Sequence, residues 1–195
     1  AALLEGQADP NVARAAITIL KSFRYAKAAS ALQKLMRHDN ALVAKAAFEA
    51  LAELGGAIDA EQLRPLLEAE DDARRVSAAE LLRRMDDPSG LAVLVGILRR
   101  GERSADRVAA ARALGPFTRR AAVEPLLDAL MDDDVGVRGA ALRSLDLLLR
   151  NLFPYRRLDL VAAGYAATGT EASRRESARV IRAWWKAHGK DGSGS

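Results

Sequence analysis

Few side chains in this 195-residue chain are equipped for catalysis or metal binding, and those few are scattered. The two histidines are His38, at a predicted helix end, and His188, near the tail; there is no cysteine. A zinc site, built from paired histidine and cysteine, therefore lacks its usual donors. Asp132-Asp133-Asp134 offers carboxylates to a hard cation, but an acidic run just before a helix is explained by N-capping without one. No glycine-rich phosphate loop occurs, and Gly55-Gly56 and Gly115-Pro116 read as helix stops. We assign no catalytic residue, no cofactor and no metal, and read the chain as a non-enzyme.

The side chains that do recur are arginines. Arg75, Arg107, Arg138 and Arg175 share one offset in four successive segments, each following an acid: Asp72, Glu102, Asp134 and Glu171. Two chemistries suit such a column. The guanidinium groups can form a ladder, each donating to carboxylates and loop carbonyls of its own and the neighbouring segment. Alternatively they can face a groove and grip phosphates or carboxylates. Five aromatic residues cluster late in the chain: Phe153, Tyr155, Tyr165, Trp184 and Trp185. The two tryptophans suit either a cap over the open end of a core or a stacking platform for a ligand. The register of Trp185 favours the cap.

That register is a repeat. Phe23, Leu54, Met85, Phe117, Leu148 and Trp185 are spaced 31, 31, 32, 31 and 37 residues apart. Three positions earlier stand Leu20, Leu51, Leu82, Leu114, Leu145 and Arg182; further back, Ala16, Ala47, Ala78, Ala110, Ala141 and Ala178 are all alanine. Self-similarity near thirty residues marks a solenoid array. Within a unit, Val12, Ala15, Ala16, Ile19, Leu20 and Phe23 recur at three- and four-residue steps, one face of an α-helix. A first helix precedes this one, predicted over 29–37, 60–69, 91–100 and 121–131. The acidic links Asp39-Asn40, Asp71-Asp72 and Asp133-Asp134 suit N-caps at the positive end of the helix dipole. Each unit is a helical hairpin, and no strand is required.

The stretch Asp134-Val135-Gly136-Val137-Arg138-Gly139-Ala140-Ala141-Leu142-Arg143-Ser144-Leu145 resembles the second helix of the HEAT repeats, in particular the short bacterial kind found in phycobilisome-lyase-type proteins. Pro65 and Pro125 fall inside first helices, where HEAT repeats often carry a kinking proline. The resemblance implies an all-α, right-handed α-solenoid of about six hairpins, and an Asp/Arg ladder at the arginine column. It implies a protein-binding scaffold, with a bilin lyase-type protein as a further alternative; the family's partners are too varied to name one.

Composition sets the remaining bounds. Half of the residues are apolar, enough for a continuous core, and no stretch reaches the roughly twenty apolar residues a membrane span needs. The chain lacks cysteine and a recognisable secretory signal, which points to the cytoplasm. It starts at Ala1 partway through a hairpin, as an excised fragment would, so an upstream signal can be missing. Charge is uneven: residues 1–97 carry 12 Lys/Arg against 14 Asp/Glu, a balance of −2, and residues 98–195 carry 18 against 12, a balance of +6. The basic half raises the alternative of a nucleic-acid binder. Interleaved acids and the absence of alternating aromatics weigh against it.

The chain is therefore expected to form one HEAT-repeat solenoid over 1–188. Residues 1–24 make an incomplete first repeat; 25–55, 57–86, 89–117 and 120–150 are full repeats; 151–188 is an atypical cap and 189–195 a flexible tail. Its expected role is to bind another protein, without metal, cofactor or membrane, through a concave face lined by second helices. The candidate residues there are Ile17, Phe48, Glu49, Glu80, Arg112, Leu142, Arg143 and Arg179. Ile17, Phe48 and Leu142 are expected as exposed apolar anchors.

Overall fold

The structure is a computed structural model that describes residues 9–22, 29–36, 38, 40–53, 60–154, 160 and 164–189. The expected positions Phe23, Asp39, Leu54, Gly55-Gly56 and Tyr155, with the tail from 190 onward, lie outside these. The described residues form α-helices and short 3₁₀ turns. The helices are α1 (Pro10–Ser22), α2 (Ala29–Leu35), α3 (Ala41–Glu53), α4 (Ala60–Leu63), α5 (Asp72–Arg84), α6 (Gly90–Arg100), α7 (Ser104–Leu114), α8 (Val123–Ala129), α9 (Val135–Leu152) and α10 (Glu171–His188). They belong to two compact units, Ala1–Val93 and Leu94–Ser195, with the chain passing from one to the other inside α6.

The hairpin pattern of the sequence is the pattern of the structure. In the first unit α3 packs against α1, α2 and α5. In the second, α7 and α8 both pack against α9, and α8 also takes α10. The alanine column is what lets second helices lie side by side. Ala47, Ala78, Ala110 and Ala141 are at most 1% exposed, as are Leu51, Leu82, Leu114 and Leu145 one turn later. A larger side chain in the alanine column would hold the helix backbones apart. On α1, Val12 and Ile19 are exposed, because the side of α1 away from α3 carries no described helix.

The N-caps follow the acidic links. Asp71 accepts from the Arg74 N–H at 3.2 Å, and Asp134 from the Val137 N–H at 3.0 Å. Asn40 accepts from the Leu42 and Val43 N–H groups, and Thr170 caps α10 by accepting from Ser173. Each satisfies helix donors that have no partner inside the helix.

One proline reading changes, and one helix stop takes another form. Pro65 lies in a 3₁₀ segment, Arg64–Glu68, that replaces the second half of an expected first helix. α7 stops at Gly115, as the sequence suggests, but not through a left-handed glycine. Gly115 is helical (φ −54°) and leads into a 3₁₀ turn, Gly115–Phe117, that ends at the left-handed Thr118. Close packing favours glycine there, since a Cβ would lie 3.0 Å from Cα and Cβ of Ser144 on α9.

One turn in the first unit is held by charge. Asp87 accepts from Arg64 at 2.7 and 3.0 Å and from the Ser89 N–H at 2.8 Å, so it ties the start of α6 to the 3₁₀ segment. The hydrogen bonds from Ser89, followed by that from Arg64, hold its carboxyl at about 2, below the ordinary 3.8. A carboxyl depressed in the folded state contributes stability that is complete above its unfolded value and fades as pH falls toward the folded one. The melting-temperature difference between the parent and Asp87→Asn is therefore expected to be constant from neutral pH down to about 4 and to vanish near 2. Melting curves at a series of pH values check this, and a difference that persists at pH 2 would refute it.

Candidate functional site

The arginine column is structural in the second unit. Arg107 donates to both carboxylate oxygens of Asp132, at 2.9 and 3.0 Å, and to the Gly101 and Glu102 carbonyls. The bidentate bond to Asp132 raises its pKa further. Arg138 is buried and donates to the carbonyls of Asp132, Asp133 and Ala167, at 2.7 to 2.8 Å. Part-buried loop carbonyls gain charged donors this way. In the first unit Arg75 pairs with Asp72.

In the last hairpin the ladder position is Arg174, not Arg175. Counting from the caps Asp71, Arg103, Asp134 and Thr170, the fourth residue on is Arg75, Arg107, Arg138 and then Arg174. Arg174 donates to the Gly169 carbonyl five residues back, as Arg107 does to Glu102 and Arg138 to Asp133. Arg175 points outward and pairs with Glu171 on the surface. The final repeat is thus longer by one residue fewer than the tryptophan register implies. Tyr165 completes the long connection, its buried hydroxyl donating to the Leu130 carbonyl.

The candidate binding column divides. Ile17 and Phe48 are 1% and 5% exposed and lie in the core of the first unit. The expectation that they stand as exposed anchors is corrected. Three helices, α1, α2 and α5, pack around α3, and the offset of Phe48 is among the positions they cover. Ala79 and Ala111 at the same offset are likewise buried, and Leu142 is half-buried. The neighbouring column is polar and solvent-facing. Glu80 accepts from Lys45 at 2.7 Å and Glu49 from Arg84 at 3.2 Å, so both acids are neutralised across the α3–α5 pair. At the corresponding positions of the second unit, Arg112 and Arg143 are exposed with no ion-pair partner among the described residues. Leu147, one turn beyond Arg143, is 43% exposed. Arg179 is held by Glu176 at 2.6 and 2.9 Å, and this bond lowers the Glu176 pKa.

The late aromatics form a cap around Phe153. Trp184 and Trp185 meet its ring edge-on at centroid distances of 5.4 and 6.1 Å, Trp184 stacks on His188, and the Arg120 guanidinium lies 5.7 Å above Phe153. Arg120 also donates to the Gly189 carbonyl. The fully buried residue of α10 is Ile181; Trp185 is half-buried. Ile181→Ala is expected to cost roughly 3 kcal/mol and Trp185→Ala about 2, below the usual figure for a buried ring. Denaturant titration of both variants checks the order, and a larger loss for Trp185 would restore it as the terminal core rung.

Among the described residues no group of three or more His, Asp or Glu is placed to hold a metal ion, and no helix is long and apolar enough to cross a membrane.

Repeated hairpins with an alanine-lined stack and an arginine ladder define a helical repeat protein. The HEAT repeats family matches residues 1–83 and 60–146. The chain belongs to the HEAT-repeat family. That match is to the repeat itself and does not extend to the lyase-type subgroup. No curated protein matches the chain.

Proposed function

We propose that the chain is a non-enzymatic scaffold that binds another protein through the exposed face of its second helices. HEAT repeats generally mediate protein–protein interaction, which supports the class of partner. The observation that carries the placement is the contrast between the units: Glu49 and Glu80 are each neutralised by a neighbouring helix, whereas Arg112 and Arg143 stand exposed, with exposed Leu147 and half-buried Leu142 on the same helix as Arg143. Arginine beside exposed leucine is a common composition for an interface centre with a charged rim.

A photo-crosslinking amino acid at Arg112 or Arg143 is expected to capture the same protein in cells. The same group at Glu124, exposed on the first helix α8, should not capture it. Arg112→Glu/Arg143→Glu should abolish capture from Leu147. Equal capture from Glu124 would overturn the placement.

A nucleic-acid reading keeps one argument, the +6 balance of residues 98–195. Among the described residues of this half, Trp184 and Trp185 are engaged with Phe153 and Tyr165 is buried, so this reading rests on phosphate contacts. Such binding should fall steeply between low and moderate salt, and a flat titration at low ionic strength would remove this reading.

A further inference from the structure

The strongest unused feature of the molecule is a groove along α10. It has a volume of about 370 Å³; Met131 and Ala178 line it together with four cationic side chains, Arg175, Arg179, Arg182 and Lys186. These four stand at i, i+4, i+7 and i+11, so the helix carries them on one face over about 16 Å. The face next to it is the one that Ile181 and the tryptophans turn toward the core and Phe153.

We infer that this groove binds an acidic peptide segment of a partner protein, with one apolar side chain of the segment seated against Met131. This rests on the reading of the chain as a protein-binding scaffold and assigns it a second, separate contact surface. Three observations select the occupant. The first is charge: α10 carries Arg174, Arg175, Arg179, Arg182 and Lys186 against Glu171 and Glu176. The second is that the ion pairs along the groove are exposed ones. Arg175 pairs with Glu171 and Arg179 with Glu176, all more than 60% exposed, and Arg182 reaches Asp128 at 2.5 Å. Exposed pairs of this kind hold by about 0–1 kcal/mol, so incoming carboxylates can exchange with them. Lys186 has no partner among the described residues. The third is the floor. Among the described residues it contains a methionine and alanines and no aromatic ring, which suits an aliphatic side chain better than a stacked base. A segment of about five extended residues matches the length of the cationic row.

The test uses the whole chain and a fluorescein-labelled ten-residue peptide of alternating glutamate and leucine. Its glutamine counterpart and a ten-nucleotide oligo-dT serve as comparison probes. Fluorescence anisotropy at low salt is expected to show binding of the glutamate peptide, at least about tenfold tighter than the glutamine peptide, and weaker as salt rises. Arg175→Glu/Lys186→Glu should weaken it by about tenfold or more, with the melting temperature unchanged because both residues are exposed. Arg112→Glu/Arg143→Glu should leave it intact. If instead only that second pair weakens the peptide, the groove assignment fails while the scaffold reading stands. Binding of oligo-dT as tight as that of the glutamate peptide, or no binding of the peptide at all, also overturns the inference. The crosslinking result from Arg112 and Arg143 is independent of either outcome.

Discussion

Arg138→Met is expected to destabilise the second unit by roughly 3 kcal/mol, measured by denaturant unfolding. The methionine fills similar space but strands three carbonyls, those of Asp132, Asp133 and Ala167, that the guanidinium now satisfies at 2.7 to 2.8 Å. Fully buried acceptors without donors cost about 1–3 kcal/mol each; these carbonyls are part-buried, so water recovers a share of that cost. The same substitution distinguishes the two candidate rungs in the last hairpin. Arg174→Met should cost about 1–2 kcal/mol, because its bond to the Gly169 carbonyl holds the turn before α10. Arg175→Met should change stability by less than about 0.5 kcal/mol, since Arg175 and Glu171 are both mostly exposed. Equal losses at 174 and 175 would show that the final repeat has been aligned wrongly.

Gly90→Ala should be nearly as damaging, at about 2 kcal/mol, although it adds a single methyl group. Gly90 is buried at the start of α6, and a Cβ there would lie 2.4 Å from Cβ and 2.6 Å from Cα of Ala79. Neither atom can rotate away, so α6 would have to move off α5. Gly90→Val should be worse. Gly96, in the middle of α6, gives the opposite result: among the described residues a Cβ there would meet only Nη2 of Arg100, at 3.5 Å. Gly96→Ala should stabilise the protein by about 0.5–1 kcal/mol by lowering the entropy of the unfolded chain. Thermal melts of the three variants decide the matter, and a stable Gly90→Ala would mean that α5 and α6 lie farther apart than described.

The repeat was legible because the same contact recurs. Ala47, Ala78, Ala110 and Ala141 must all be small for the same reason, and a requirement imposed four times leaves a period that a single sequence reveals. Capping was legible too, as Asp71, Asn40 and Asp134 act within three residues of themselves. The spacing alone left the arginine column open between a ladder and an anion-binding row; the resemblance to HEAT repeats implied the ladder, and Arg107 and Arg138 are bound as a ladder requires.

What the period could not decide is how much of each helix its neighbours cover. Phe48 sits one residue beyond the alanine column, an offset that a helix with fewer neighbours would expose; α1, α2 and α5 around α3 bury it. Nor did the large-apolar column align the last hairpin. Trp185 continued that column in letter, but the cap at Thr170 and the bond from Arg174 to Gly169 define the register, and Trp185 is left half-buried against Phe153. The groove of α10 has the same origin. Its four cations could be read from their spacing, but Met131 lies 44 positions before Arg175 and joins them only when α10 packs on α8. Residues close in sequence determine helices, caps and repeats. Which faces remain open to solvent depends on how many helices surround each one, and that is a property of the packed chain alone.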